Sequence, residues 1–289
     1  MRQVVRILAA LGVIASLTAC ASTPAPPNGV ARASDGAPIA WSRAGAGDTA
    51  LVFIHGWSCN SAFWREQVDA FAADYTVVTL DLPGHGQSGG DREPWRVGDY
   101  GADVAAVADA LELERIVLIG HSMGGLVALR AAAELDGRAV AVIAADSLHD
   151  AEIRYTEAQA APAIAAFSAD YAGSMMGMFT GMAGPQVDPE LAAWIAAEGA
   201  ASRPEVGIGL FSNYTEIDAT VWFREAGVPV RAINAAAGGM TPPTRSEANQ
   251  QYADFEATIL DGVGHFLQLE APERFNAALR DTLSDLGVD

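Results

Sequence analysis

Ile116-Val117-Leu118-Ile119-Gly120-His121-Ser122-Met123-Gly124-Gly125-Leu126-Val127-Ala128-Leu129-Arg130 is the stretch that decides the fold. Its short, wholly apolar opening predicts a strand, Gly-His-Ser-Met-Gly a tight turn, and the apolar residues behind it a helix. A serine at that apex projects its hydroxyl above the sheet edge at the start of a helix. Backbone N–H groups there can stabilise a developing oxyanion. The flanking glycines allow unusual backbone angles and a close approach of helix to strand. Ser122 is therefore the candidate nucleophile.

The same spacing occurs a second time, at Gly86-Gln87-Ser88-Gly89-Gly90. There it starts several residues after the apolar run 76–80, and Asp91, Glu93 and Pro94 follow with no helical period. That context predicts a glycine-rich surface loop. Context, not the five-letter pattern, selects Ser122.

Outward from the turn, apolar runs alternate with helical periods. Residues 30–41 read as a hairpin turning at Asp35-Gly36, residues 50–54, 75–80, 116–119 and 139–145 as strands, and residues 62–73, 99–113 and 123–135 as helices. Such alternation predicts an α/β fold with a mostly parallel sheet and helices on both faces. The alternation lapses in the Ala-, Met- and Gly-rich residues 147–226, then resumes at 228–233, 258–260 and a terminal helix from Pro272. Residues 29–146 and 227–289 are thus expected to form the core, with 147–226 an inserted helical lid over the carboxyl ends of the strands. Residues 175–182, with four methionines around Phe179, suit either an adaptable apolar pocket or ordinary lid packing.

The formal net charge of -19 argues against nucleic acid, which requires clustered Lys and Arg. Arg2 and Arg6 precede an apolar segment too short to span a bilayer comfortably, so residues 1–19 read as a signal peptide. Leu17-Thr18-Ala19-Cys20 resembles a bacterial lipobox, which implies lipidation of Cys20, a tether over residues 20–28 and a lipid-anchored place in the cell envelope. Ala21 after the cysteine implies the outer membrane. An ordinary secretory signal with an incidental cysteine is the other reading. With Cys20 so used, Cys59 stands alone, and neither an internal disulfide nor a Cys-rich zinc site can be built.

A serine hydroxyl needs a general base within hydrogen-bond reach. Of the five histidines, His265 lies in Gly262-Val263-Gly264-His265-Phe266 just past the last strand, in the sequence order that the elbow motif expects. The oxyanion hole needs two donors. The N–H of Met123 is one, and the N–H of Trp57, after His55-Gly56, is the other. No metal and no organic cofactor is required by this chemistry.

His55-Gly56-Trp57, Asp81-Leu82-Pro83-Gly84-His85-Gly86-Gln87-Ser88, Gly120 to Gly125 and Gly264-His265-Phe266 together resemble the α/β-hydrolase superfamily. Among its branches the chain is similar to small lidded carboxylesterases related to the pimeloyl-ACP methyl ester esterase. The resemblance implies a serine hydrolase acting on a small-molecule carboxylic ester, with thioester and amide as related acyl donors. Branches with an aspartate nucleophile are disfavoured by Ser122. A cofactor-free haloperoxidase or perhydrolase, or a non-catalytic binding lipoprotein on the same fold, are the alternatives.

One departure from the family pattern concerns the acid. The family usually places it after the strand at 228–233, but residues 234–240 hold no carboxylate. Some members carry it one strand earlier. Asp146, directly after the run 139–145, is then the expected acid, with Asp150 second. A helix N-cap at the entry to the lid is the structural alternative for Asp146.

Overall fold

The computed structural model describes residues 27–236 and 242–288. Arg2, Arg6, Cys20 and most of the expected tether lie outside them. The apolar runs form strands β1 (Gly29–Arg32), β2 (Pro38–Ala44), β3 (Ala50–Ile54), β4 (Thr76–Leu80), β5 (Ile116–His121), β6 (Ala139–Ala145), β7 (Val230–Ala235) and β8 (Phe255–Leu260). They make one eight-stranded sheet in the order β1-β2-β4-β3-β5-β6-β7-β8. β2 runs antiparallel to β1 and β4, and every later pairing is parallel. The expected mostly parallel α/β architecture is what the protein adopts.

Helices α1 (Arg65–Phe71), α2 (Tyr100–Ala110) and α3 (Met123–Glu134) connect the parallel strands. Between β6 and β7 stand α4 (Glu157–Ala169), α5 (Tyr171–Met182), α6 (Pro189–Ala201), α7 (Pro204–Asn213) and α8 (Ala219–Ala226). After β7 come α9 (Ser246–Asn249), α10 (Leu267–Glu270) and α11 (Pro272–Asp285). Local chemistry sets several of these ends. Thr156 and Gln159 form a reciprocal capping box on α4, and Asp188 caps α6 ahead of Pro189. Gly227 closes α8 in the left-handed conformation.

β3, β4 and β5 are buried along their whole length, in keeping with their mostly apolar sequences free of Asp, Glu, Lys and Arg. One core layer packs Val104 and Val107 of α2, Val127 and Leu129 of α3 and Phe223 of α8 on one face of the sheet. The other face is covered by Phe71 of α1 and by Phe275, Leu279 and Leu283 of α11. A third cluster joins Phe167, Met175 and Phe179 of the inserted helices to Phe63 and Phe266 of the sheet body.

One local expectation is corrected and another refined. β7 continues to Ala235, so Asn234 is a fully buried strand residue and not part of the turn after it. Asn is a poor strand former, but its side-chain hydrogen bonds override that preference here. Ser88 lies on the expected loop, whose Gly86 and Gln87 are exposed, but is itself buried at 8% exposure. Its hydroxyl donates to Asp81 C=O at 2.5 Å and accepts from Ala40 N–H at 2.8 Å.

The order β4-β3-β5 makes the polypeptide reverse direction across the sheet between β3 and β5. Open α/β sheets form their ligand crevice at that reversal, beyond the carboxyl ends of the strands. The segments starting at His55 and at Ser122 both begin there.

Candidate active site

Ser122 occupies φ 53°, ψ -121° between β5 and α3. A non-glycine residue so placed costs on the order of 1–3 kcal/mol, and its surroundings must hold it. Its N–H donates to Ala145 C=O at 3.0 Å, and its own C=O accepts from Ser147 Oγ at 2.6 Å. Gly124 lets the first turn of α3 sit against β3, since a Cβ there would come within 2.4 Å of Ile54 C=O. The turn is thus locked from β3 and β6.

Met123 is the first residue of α3, where backbone N–H groups lack intrahelical partners. Gly56 brings the loop after β3 against Ser122, for a Cβ on it would lie 3.2 Å from Ser122 Cβ. Trp57 follows. Its indole N–H donates to Gly207 C=O of α7 at 2.9 Å, and its ring packs on Phe167 and Phe211. His55, which precedes them, is structural. Its Nε2 accepts from Leu82 N–H at 3.0 Å, so Nδ1 carries the proton and donates to Gly56 C=O at 2.8 Å. Burial pushes the His55 pKa down to about 4.

His265 lies on the segment between β8 and α10. Its Nδ1–H donates to Asp146 Oδ2 at 2.6 Å. Its backbone is tied at both ends, the N–H to Met182 C=O at 2.9 Å and the C=O to His121 Nε2 at 2.8 Å. Burial, with His265 nearby, pushes the His121 pKa well below its ordinary value, so the ring that holds His265 is neutral. Glu270 of α10 accepts from the N–H groups of Gly264, Phe266 and Gly184, at 2.7, 3.1 and 3.0 Å. It clamps the histidine segment to the inserted helices. Neither His121 nor Glu270 carries a motif that would have singled it out for this service.

Asp146 directly follows β6 with φ 43° and a side chain withdrawn from solvent. Its second oxygen, Oδ1, accepts from Ala235 N–H at 2.8 Å. Asp150 is engaged elsewhere, its carboxylate 2.8 Å from the Arg245 guanidinium. Ser122, His265 and Asp146 line one cleft of about 190 Å³, with Leu126, Ile153 and Phe223 among its apolar walls. Ser122 and His265 also line a separate recess of about 20 Å³ against Trp57, Cys59, Phe179, Met182 and Phe266. Only part of the methionine stretch reaches the site. Met182 lines the recess, Met175 is core and Met176 is half exposed. Cys59 is buried, and burial pushes its thiol pKa up, away from nucleophilic chemistry.

A reversing parallel sheet with a serine elbow after β5 and a histidine after β8 is the arrangement of an α/β hydrolase, here with the carboxylate one strand earlier than the family's usual place. Residues 51–278 match the Alpha/beta hydrolase family, and the chain belongs to that family. Over 92 residues, 32% of this chain, it is 41% identical to the pimeloyl-[acyl-carrier protein] methyl ester esterase of Edwardsiella ictaluri, a match spanning about a third (34%) of that protein's length. A thermophilic esterase from Thermogutta terrifontis is similar in fold, with TM-score 0.79, 20% identity, and coverage of 89% of this chain and 98% of that one. A bromoperoxidase from Bacillus anthracis is equally similar, with TM-score 0.80, 20% identity, and coverage of 89% and 99%.

Proposed function

We propose that the protein is a serine hydrolase that cleaves a small-molecule carboxylic ester through an acyl-enzyme on Ser122. The observation that carries this reading is the 2.6 Å contact of His265 Nδ1 with the enclosed Asp146 carboxylate, in the cleft that Ser122 also lines. Ser122 Oγ attacks the ester carbonyl carbon while His265 Nε2 takes its proton. Asp146 keeps the Nδ1–H tautomer and stabilises the imidazolium that forms. The N–H groups of Trp57 and Met123 receive the oxyanion. Collapse of the tetrahedral intermediate breaks the C–O bond, and the alcohol leaves with the proton from His265. Water, activated by His265, then attacks the acyl carbon and frees Ser122.

The relative from Edwardsiella ictaluri supports ester chemistry by its name. A fluorophosphonate probe tests the reading without knowledge of the substrate. The wild type is expected to be labelled stoichiometrically and Ser122→Ala to remain unlabelled while folded. A folded wild type that resists labelling overturns it.

The same reading has Cys20 lipidated and the enzyme anchored in a bacterial cell envelope, at the periplasmic face of the outer membrane. The sequence Leu17-Thr18-Ala19-Cys20 supports it. In cells, wild type should fractionate with membranes and Cys20→Ala should not. Equal partitioning of the two rules out the anchor.

A further inference from the structure

His149 lies three residues beyond Asp146, and positive φ at Asp146 (43°) and Leu148 (53°) folds the segment tightly. The His149 ring is thereby brought back beside the carboxylate. It is 8% exposed, and its Nε2 is enclosed with no hydrogen-bond partner among the described residues. That atom lies 3.6 Å from Asp146 Oδ1, the oxygen that His265 does not use. The gap is a few tenths of an ångström too long for a hydrogen bond, and contacts of this kind tighten when charge develops in a reaction.

The neighbouring amide fixes which ring nitrogen carries the proton. Asn234 Oδ1 accepts from Ser147 N–H at 3.0 Å, so Asn234 Nδ2 is the end that faces the ring. It lies 2.9 Å from Thr244 Oγ1 and 3.2 Å from His149 Nδ1. Thr244 Oγ1 is also 3.2 Å from His149 Nδ1. An amide NH₂ only donates, and all three contacts are hydrogen bonds only when Nδ1 accepts from both the Asn234 amide and the Thr244 hydroxyl, which leaves the single proton of the neutral ring on Nε2. A second proton would set N–H against N–H across that contact. Burial also pushes the His149 pKa down.

We propose that His149 is a positioning residue for the acid, locked by Asn234 in the neutral Nε2–H form so that it offers Asp146 a dipole and not a charge. A cation at that place would compete with the His265 imidazolium for the carboxylate. A neutral donor orients the carboxylate and leaves its charge to His265. The inference rests on the reading of Asp146 as the catalytic acid.

The test is the rate of Ser122 phosphonylation by a fluorophosphonate, resolved into kinact and KI, for wild type, His149→Leu, His149→Gln and Asn234→Asp. His149→Leu should lower kinact about tenfold with KI nearly unchanged, the scale of one hydrogen bond to a charged group. Gln places its own N–H₂ where Nε2 stood and should recover most of that loss. Asn234→Asp keeps the shape but reverses the polarity toward Nδ1. It should cost about as much as His149→Leu, and add little in the His149→Gln background. Wild-type kinact in His149→Leu or Asn234→Asp overturns the inference, as does a His149→Gln rate no better than that of His149→Leu. A wild type that is not labelled at all removes the hydrolase reading itself, and this inference with it.

Discussion

Asp146 Oδ2 and His265 Nδ1 meet at 2.6 Å although 119 residues separate them in sequence. The carboxylate comes from the end of β6, the strand next to that of Ser122, and the histidine from beyond β8 at the sheet edge. Asp146→Asn keeps the shape but cannot hold the tautomer, and should lower kcat by about 10⁴-fold. Asp150→Asn should leave kcat within about twofold, because that carboxylate is paired with Arg245. Steady-state ester hydrolysis checks both, with thermal melting as the control for folding. Comparable rates for Asp146→Asn and wild type would move the acid away from Asp146.

Ser88 and Ser122 share a motif and are expected to share nothing else. Ser88→Ala removes the acceptor for Ala40 N–H and the donor to Asp81 C=O, both buried. Its cost should be about 1–3 kcal/mol of stability, read as a lower urea midpoint at constant slope. Its kcat should stay near wild type. Ser122→Ala should do the reverse, abolishing turnover while relieving a strained backbone only slightly. Loss of kcat in a folded Ser88→Ala protein would contradict the division.

Buried histidines give the fold a defined response to acid. Burial lowers the His55 pKa to about 4, and burial with His55 nearby lowers that of His85 to about 3. Both bind a proton near pH 6.5 in the unfolded state. Between those values the unfolded state holds more protons, so stability falls as pH falls, by about 1.4 kcal/mol per pH unit for each group. Above pH 6.5 the contribution is complete. Urea titrations from pH 7 to 4 should therefore show a slope that is shallower by about one proton in His85→Asn. An unchanged slope would mean that His85 takes up its proton in the native state.

The sheet was legible because strands buried on both faces must be apolar throughout, and Ala50–Ile54 and Ala139–Ala145 have the bounds that their composition suggests. The end of β7 was not legible. Asn234 and Ala235 look like turn residues until the side-chain bonds from Ser147 and to Thr244 are visible. At the site, strand–turn–helix order singles out Ser122, and position after the last strand singles out His265. The candidate acid was the hardest residue to read, since its partner lies 119 residues away and proximity over such distances leaves no local pattern. His149, Asn234 and Glu270 were not legible either. His149 meets Asn234 from 85 positions away, Asn234 takes the N–H of Ser147 from 87, and Glu270, beside its local bonds to Gly264 and Phe266, reaches Gly184 across 86.

Ser122 and His265 line two unequal spaces, a cleft of about 190 Å³ and a recess of about 20 Å³. The smaller has room for roughly one water molecule or methyl group. It is closed by Phe179, Met182 and Phe266, bulky side chains held in the core that joins the inserted helices to the sheet. An ester bound at Ser122 that fills both spaces sends one arm into each. Turnover should then require one arm of about one or two carbons and tolerate several more in the other. Two matched series of esters, one varying the acyl group and one the alcohol, should show a steep fall in kcat/KM in one series only. Met182→Ala should relax that fall by roughly tenfold for each added methylene, the usual worth of such a group in an apolar pocket. It leaves intact the backbone carbonyl that receives His265 N–H. Equal tolerance in both series, or a length profile untouched by Met182→Ala, would show that the recess does not set the size of the substrate.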